Sequence, residues 1–179
     1  MIFLIPGASH TGKTLLAQRL LETYHYPYLS IDHLKMGLIR SGQTDLTACD
    51  DEKLTDYLWP IVREMEKTAI ENNQNLIVAG CYIPCHWQQD FEEDYLRLIR
   101  CRWLIMSREY IENHFGEIRD QANAIEQRLD DSGLDAQALI RENQRNLEGC
   151  LSHGCEYILL DRDYCLDPEE WMKKIDPQK

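Results

Sequence analysis

Eight residues near the start of the chain, Gly7-Ala8-Ser9-His10-Thr11-Gly12-Lys13-Thr14, have the spacing G-x-x-x-x-G-K-[ST]. Each fixed position has a chemical reason. The glycines let the backbone turn tightly, so that successive N–H groups converge as a nest for phosphate oxygens. Lys13 is long enough to reach the β- and γ-phosphates of a nucleotide, and the Thr14 hydroxyl can ligate Mg²⁺. A helix starting near Lys13 adds the positive end of its dipole. The pattern therefore predicts that the whole run Gly7 to Thr14 binds the phosphates of a nucleoside triphosphate. His10 occupies a free position of the motif and reads as a solvent-facing spacer.

A second chemically competent residue follows. Pro27-Tyr28-Leu29-Ser30-Ile31 has strand character and passes through Asp32 into the helical stretch His33 to Arg40. A carboxylate at the junction of strand and helix lies at the carboxyl edge of a parallel sheet, where ligands bind. Asp32 there can accept a proton from a hydroxyl nucleophile, or it can cap the helix; the two roles are compatible.

The elements that position these residues alternate along the chain. Apolar runs predict five strands at about 1–5, 27–31, 75–79, 101–106 and 156–160. Helical periodicity covers the stretches between them, including about 51–73 with Pro60 inside and about 87–98. A long polar helix of about 108–129 is expected to start at a Ser107 cap and serve as a surface element or a mobile lid. Strand–helix alternation predicts an α/β fold, a parallel sheet covered by helices on both faces.

The chain has 179 residues, 44% hydrophobic and 28% charged, which suits one domain spanning 1–179. The net charge of −12 argues against a surface that coats nucleic acid. No apolar run approaches the roughly 18 residues of a membrane span. Seven cysteines without a C-x-x-C pair suit reduced thiols and a cytoplasmic location. Cys81, Cys85 and His86 lie close together in sequence but lack the second ligand pair of a zinc site.

With these residues in place, the chain resembles the small P-loop kinases, a group that includes adenylate, shikimate and gluconate kinases and the chloramphenicol phosphotransferases. The run from Tyr28 to Gly42 resembles small bacterial 2-phosphoglycerate kinase-like proteins more closely. The resemblance implies a three-layer P-loop NTPase fold with sheet order 2-3-1-4-5, ATP as donor, Mg²⁺, and a helical lid at about 108–133. It implies that Lys13 and Asp32 are catalytic, and that Asp32 and Gly80 face the acceptor. Arg119 and Arg128 are its implied lid cations. The third strand, Leu-Ile-Val-Ala-Gly, carries no acid where many P-loop proteins hold their metal, which leaves Thr14, the phosphates and water, with Asp32 in support.

The expected activity is transfer of the γ-phosphoryl of ATP to a hydroxyl of a small, anionic metabolite. Two alternatives stay open: a non-catalytic nucleotide sensor, which would bind ATP without turnover, and a nucleic-acid end kinase, against which the acidic balance weighs.

Overall fold

The structure is a computed structural model that describes residues 1–120, 135–162, 164 and 166–173. Strand β1 (Ile2–Pro6) lies at the centre of a four-stranded parallel sheet in the order β2-β3-β1-β4. Its neighbours are β3 (Leu76–Gly80) on one side and β4 (Ile99–Cys101) on the other, with β2 (Tyr28–Ser30) outside β3. Strands β5 (Trp103–Met106) and β6 (Tyr157–Leu160) form a second parallel pair.

The sequence predicts one fourth strand over 101–106; the structure divides that stretch and begins it earlier. The break is Arg102. Its amide still donates to the Leu4 carbonyl at 3.1 Å, whereas the Trp103 amide turns to Glu156 on the other side at 2.9 Å. Beyond this point β1 turns into the glycine loop, and among the described residues a single isolated bridge, Gly7–Leu104, joins the two ladders. The Arg102 side chain is buried. Its guanidinium ties the break to Glu156 at 2.8 Å and to the Trp171 carbonyl at 3.0 Å. The expected five-stranded sheet is thus a four-stranded and a two-stranded ladder, its first four positions in the expected order.

Both faces of the sheet are apolar because alternate strand residues serve different cores. Ile2 and Leu4 of β1 point into one core with Val78, Trp103 and Ile105. Phe3 and Ile5 point into the other with Ile77, Leu104 and Met106. Helix α3 (Asp51–Glu71) covers the first face through Leu54, Leu58, Trp59 and Val62, and it runs unbroken through Pro60. Helix α1 (Lys13–Tyr24) covers the second through Leu16, Ala17 and Leu20, beside Trp171 of α7 (Pro168–Lys173).

Helix α2 (Ile31–Arg40) starts earlier than the sequence predicts. Ser30 is its cap and accepts from the His33 amide at 3.4 Å, so Asp32 lies inside the first turn and does not cap it. The predicted helix over 87–98 is replaced by a 3₁₀ turn at Trp87–Asp90 and a single α-turn, α4 (Glu93–Leu96). The extended backbone of Phe91 (φ −127°, ψ 142°) separates them and lets its ring pack edge-on against Trp59 and Trp87.

Ser107 caps α5 (Arg108–Asp120) as expected, accepting from the Tyr110 amide at 3.0 Å. The rest of the expected lid lies outside the described residues. Helix α6 (Ala136–His153) begins at Asp135, whose carboxylate accepts from the Gln137 and Ala138 amides. Among the described residues, no helix is long and apolar enough to cross a membrane.

Candidate active site

The loop between β1 and α1 closes on itself. Gly7 has φ 152° and packs so tightly that a Cβ would run into the Leu104 carbonyl. Gly12, at φ 82°, has Tyr164 against it, and any side chain there would strike the phenol. The Thr11 hydroxyl donates to the Ala8 carbonyl at 2.9 Å, and the Lys13 ammonium donates to the same carbonyl at 2.5 Å. Lys13 is only 7% exposed, so its charge is held inside the loop rather than in solvent. Thr14 follows in the first turn of α1, half-buried. His10 departs from a solvent-facing spacer: it is half-buried and left-handed, at φ 63°.

One contact tests whether this loop accepts an anion. The Ser9 amide donates to the Glu142 carboxylate of α6 at 3.2 Å. A negative oxygen therefore already sits on a loop N–H, as a phosphate oxygen would, so the residues present suit a polyphosphate.

A second cluster stands beside the loop at the same edge of the sheet. Lys35 of α2 donates to Asp32 at 2.8 Å and to the Tyr82 hydroxyl at 2.9 Å, and its ammonium lies 4.9 Å from the Tyr82 ring centre. The Tyr82 hydroxyl in turn donates to Asp51 at 3.0 Å. Burial, then the charges of Asp51 and Asp32, push the Tyr82 phenol well above its ordinary range, so it remains a hydrogen-bond donor.

Cys81 links the two clusters. Its sulfur lies 3.9 Å from the Ser9 hydroxyl, and its thiol feels Lys13, Asp32 and Glu142 together. Burial, the largest effect, pushes that thiol upward and keeps it protonated.

Of the sequence-predicted residues, the structure brings the loop residues and Asp32 to one edge. Gly80 ends β3 there, but its missing side chain answers to packing: a Cβ would lie 2.7 Å from Cβ of Ile31. Arg119 is exposed on α5 and lies 3.8 Å from Asp120. Arg128 lies outside the described residues. Lys35, Tyr82, Asp51, Glu142 and Tyr164 escaped the sequence reading. Lys35 alone left a local signal, one helical turn from Asp32. An open groove of about 860 Å³ lined by Tyr24, Tyr26, Pro27, Met65 and Leu76 lies at the opposite, amino end of the strands.

No protein-family model matches the chain, and no curated protein matches it in sequence. Solved structures do. A provisionally assigned kinase of Chloroflexus aurantiacus j-10-fl aligns with 97% of this chain and 96% of its own, at 15% identity and TM-score 0.60. A deoxyadenosine kinase of M. mycoides, solved with bound dATP, aligns over 98% of both chains at 14% identity and TM-score 0.56. A shikimate kinase of Bacteroides thetaiotaomicron covers 98% of this chain and 96% of its own, at 15% identity and TM-score 0.55. The chain has the α/β fold of these kinases. At such identities the likeness is one of fold, and the chemistry must be argued from the site.

Proposed function

We propose that the protein is an ATP-dependent phosphotransferase acting on a hydroxyl of a small metabolite. The observation that carries the reading is the pairing, at one sheet edge, of an anion-accepting glycine loop with the Asp32–Lys35–Tyr82 cluster. In this reading the amides of Gly7 to Thr14 and the Lys13 ammonium hold the triphosphate. The Thr14 hydroxyl would hold a Mg²⁺ ion, which would supply charge neutralisation on the transferring group. Asp32 and Glu142, which face the same thiol as Lys13, are the acids that stand in for the one missing from β3.

The acceptor lies against Asp32, Lys35 and Tyr82. Asp32 takes the hydroxyl proton late in transfer, and Lys35 fixes the carboxylate that does so. An anionic group on the acceptor would pair with Lys35. Transfer of this kind is mostly positioning and charge stabilisation, which a short parts list can supply. Kinship with 2-phosphoglycerate kinase-like proteins belongs to the same proposal.

The test is ADP release over a panel of hydroxylated metabolites that includes 2-phosphoglycerate, each with Mg-ATP. Acceptor-dependent ADP release that disappears in Lys13→Ala is the expected result. ATP binding with no turnover on any acceptor would favour the sensor. Labelling of nucleic-acid 5′ ends alone would favour the end kinase.

A further inference from the structure

Three cysteines from two distant stretches of chain meet at the C-terminal end of α6. Cys85 lies in the loop after β3, Cys150 in the last turn of α6, and Cys155 just beyond it. The Cys85 sulfur presses on Gly149 so closely that a Cβ on that glycine would collide with it. The Cys155 thiol donates to the Cys85 carbonyl at 3.1 Å. The fully buried Cys150 packs in one apolar cluster with Cys85 and Cys155, its thiol close enough to interact with both of theirs. The rings of His86 and His153 lie beside the group, 6.3 Å apart. Among the described residues, no set of His, Cys, Asp and Glu is disposed to hold a metal ion, so the chemistry to consider here is that of the thiols.

Two features make the group reactive. Interaction with the Cys150 thiol draws both neighbouring thiols below their ordinary range against the effect of burial, Cys155 to about 7. Cys85 is also the member that is partly exposed, whereas Cys150 is wholly buried and Cys155 nearly so. An oxidant therefore reaches Cys85 first, with a resolving thiol already beside it.

We propose that Cys85 and Cys150 form a peroxide-sensitive dithiol that closes to a disulfide between the loop after β3 and helix α6. The Cys85 thiolate attacks one oxygen of hydrogen peroxide. The O–O bond breaks, the departing hydroxide takes a proton to become water, and Cys85 is left as a sulfenic acid. The Cys150 sulfur then attacks the Cys85 sulfur. The S–S bond forms as the S–O bond breaks, and the leaving hydroxide carries off the Cys150 proton as a second water. Two thiols are oxidised and one peroxide is reduced to two waters.

The bond would pin the loop that carries Cys81 and Tyr82 to the helix that carries Glu142. Its effect on turnover rests on the proposed phosphotransferase; its formation does not.

The experiment treats the reduced, full-length protein with graded hydrogen peroxide, alkylates the remaining thiols, and maps peptides without reduction. The expected result is a Cys85–Cys150 cross-linked peptide at lower peroxide than modifies the exposed Cys49. Dithiothreitol should reverse it, and Cys85→Ser and Cys150→Ala should abolish it. Cys85→Ser, at a partly exposed position, keeps the test valid if the buried variant fails to fold. Oxidation of Cys49 while Cys85 and Cys150 still alkylate, or a Cys150–Cys155 link instead, overturns the proposal. A Cys85–Cys150 link in a protein that turns over no acceptor supports the dithiol and counts against the phosphotransferase.

Discussion

Asp32 is held by a neighbour one turn away, and Ser30 relieves it of any capping duty. That makes its replacement a clean test of chemistry. Asp32→Asn removes an ion pair whose carboxylate is 35% exposed, which is worth about 0–1 kcal/mol after solvent screening. Melting temperature and metal-free ATP binding to the glycine loop should barely change, while acceptor turnover should fall by roughly 10²–10⁴. Near-full turnover would show that the proton acceptor is elsewhere. Glu66 offers the opposite kind of test. It is fully buried in α3, neither carboxylate oxygen has a hydrogen-bond partner among the described residues, and burial pushes it well above its ordinary 4.5. The folded protein therefore keeps Glu66 protonated after the unfolded chain has released its proton. Its contribution to stability is present below pH 4.5 and is lost as pH rises toward the folded pKa, at up to about 1.4 kcal/mol per pH unit. Glu66→Met should raise the melting temperature at pH 8 and leave it almost unchanged at pH 4. An equal shift at both values would mean that the carboxyl is not titrating.

At the scale of elements, two contacts decide how the site is assembled. Helix α2 reaches the edge of the sheet because β3 ends in a glycine against Ile31. Gly80→Ala should cost about 1–3 kcal/mol by overpacking, and Ile31→Ala in the same chain should recover much of the loss in urea unfolding. Simple additivity of the two would refute this packing account. Helix α6 reaches the glycine loop through Glu142, which occupies the Ser9 amide that a phosphate oxygen would need. Glu142→Gln should tighten Mg-free ATP binding by about three- to tenfold, roughly 0.7–1.4 kcal/mol, because a neutral amide repels the triphosphate less. Calorimetric titration without metal would read it, and weakened binding would mean that the carboxylate assists the nucleotide.

For the whole molecule, the glycine loop joins β1 at the centre of the sheet to α1, so a ligand there should stabilise the fold as a unit. Mg-ATP at 100 times its dissociation constant adds about 2.7 kcal/mol. For a chain of this length that is a rise of roughly 5–10 °C in melting temperature. Lys13→Ala should remove most of the rise, and a thermal scan with and without nucleotide reads it directly. A rise that survives in the variant would place the nucleotide elsewhere.

What the amino-acid order determined by itself is local. The glycine loop was legible because its chemistry is complete within eight consecutive residues, and the flanking strand and helix follow from period and propensity. The layered α/β fold was legible too, since apolar strand runs alternate with helical periodicity throughout. Asp32 was found because the turn from strand to helix marks a sheet edge. The break at Arg102 was decided in three dimensions, by a buried guanidinium bonded to Glu156 and Trp171. The same holds for Glu142 on Ser9, Tyr82 on Lys35, Tyr164 on Gly12, and the meeting of Cys85 with Cys150. These partners are dozens to well over a hundred residues apart, and no spacing rule connects them. They come together because the parallel crossovers return every strand to the same edge, and close packing then fixes which side chains meet there.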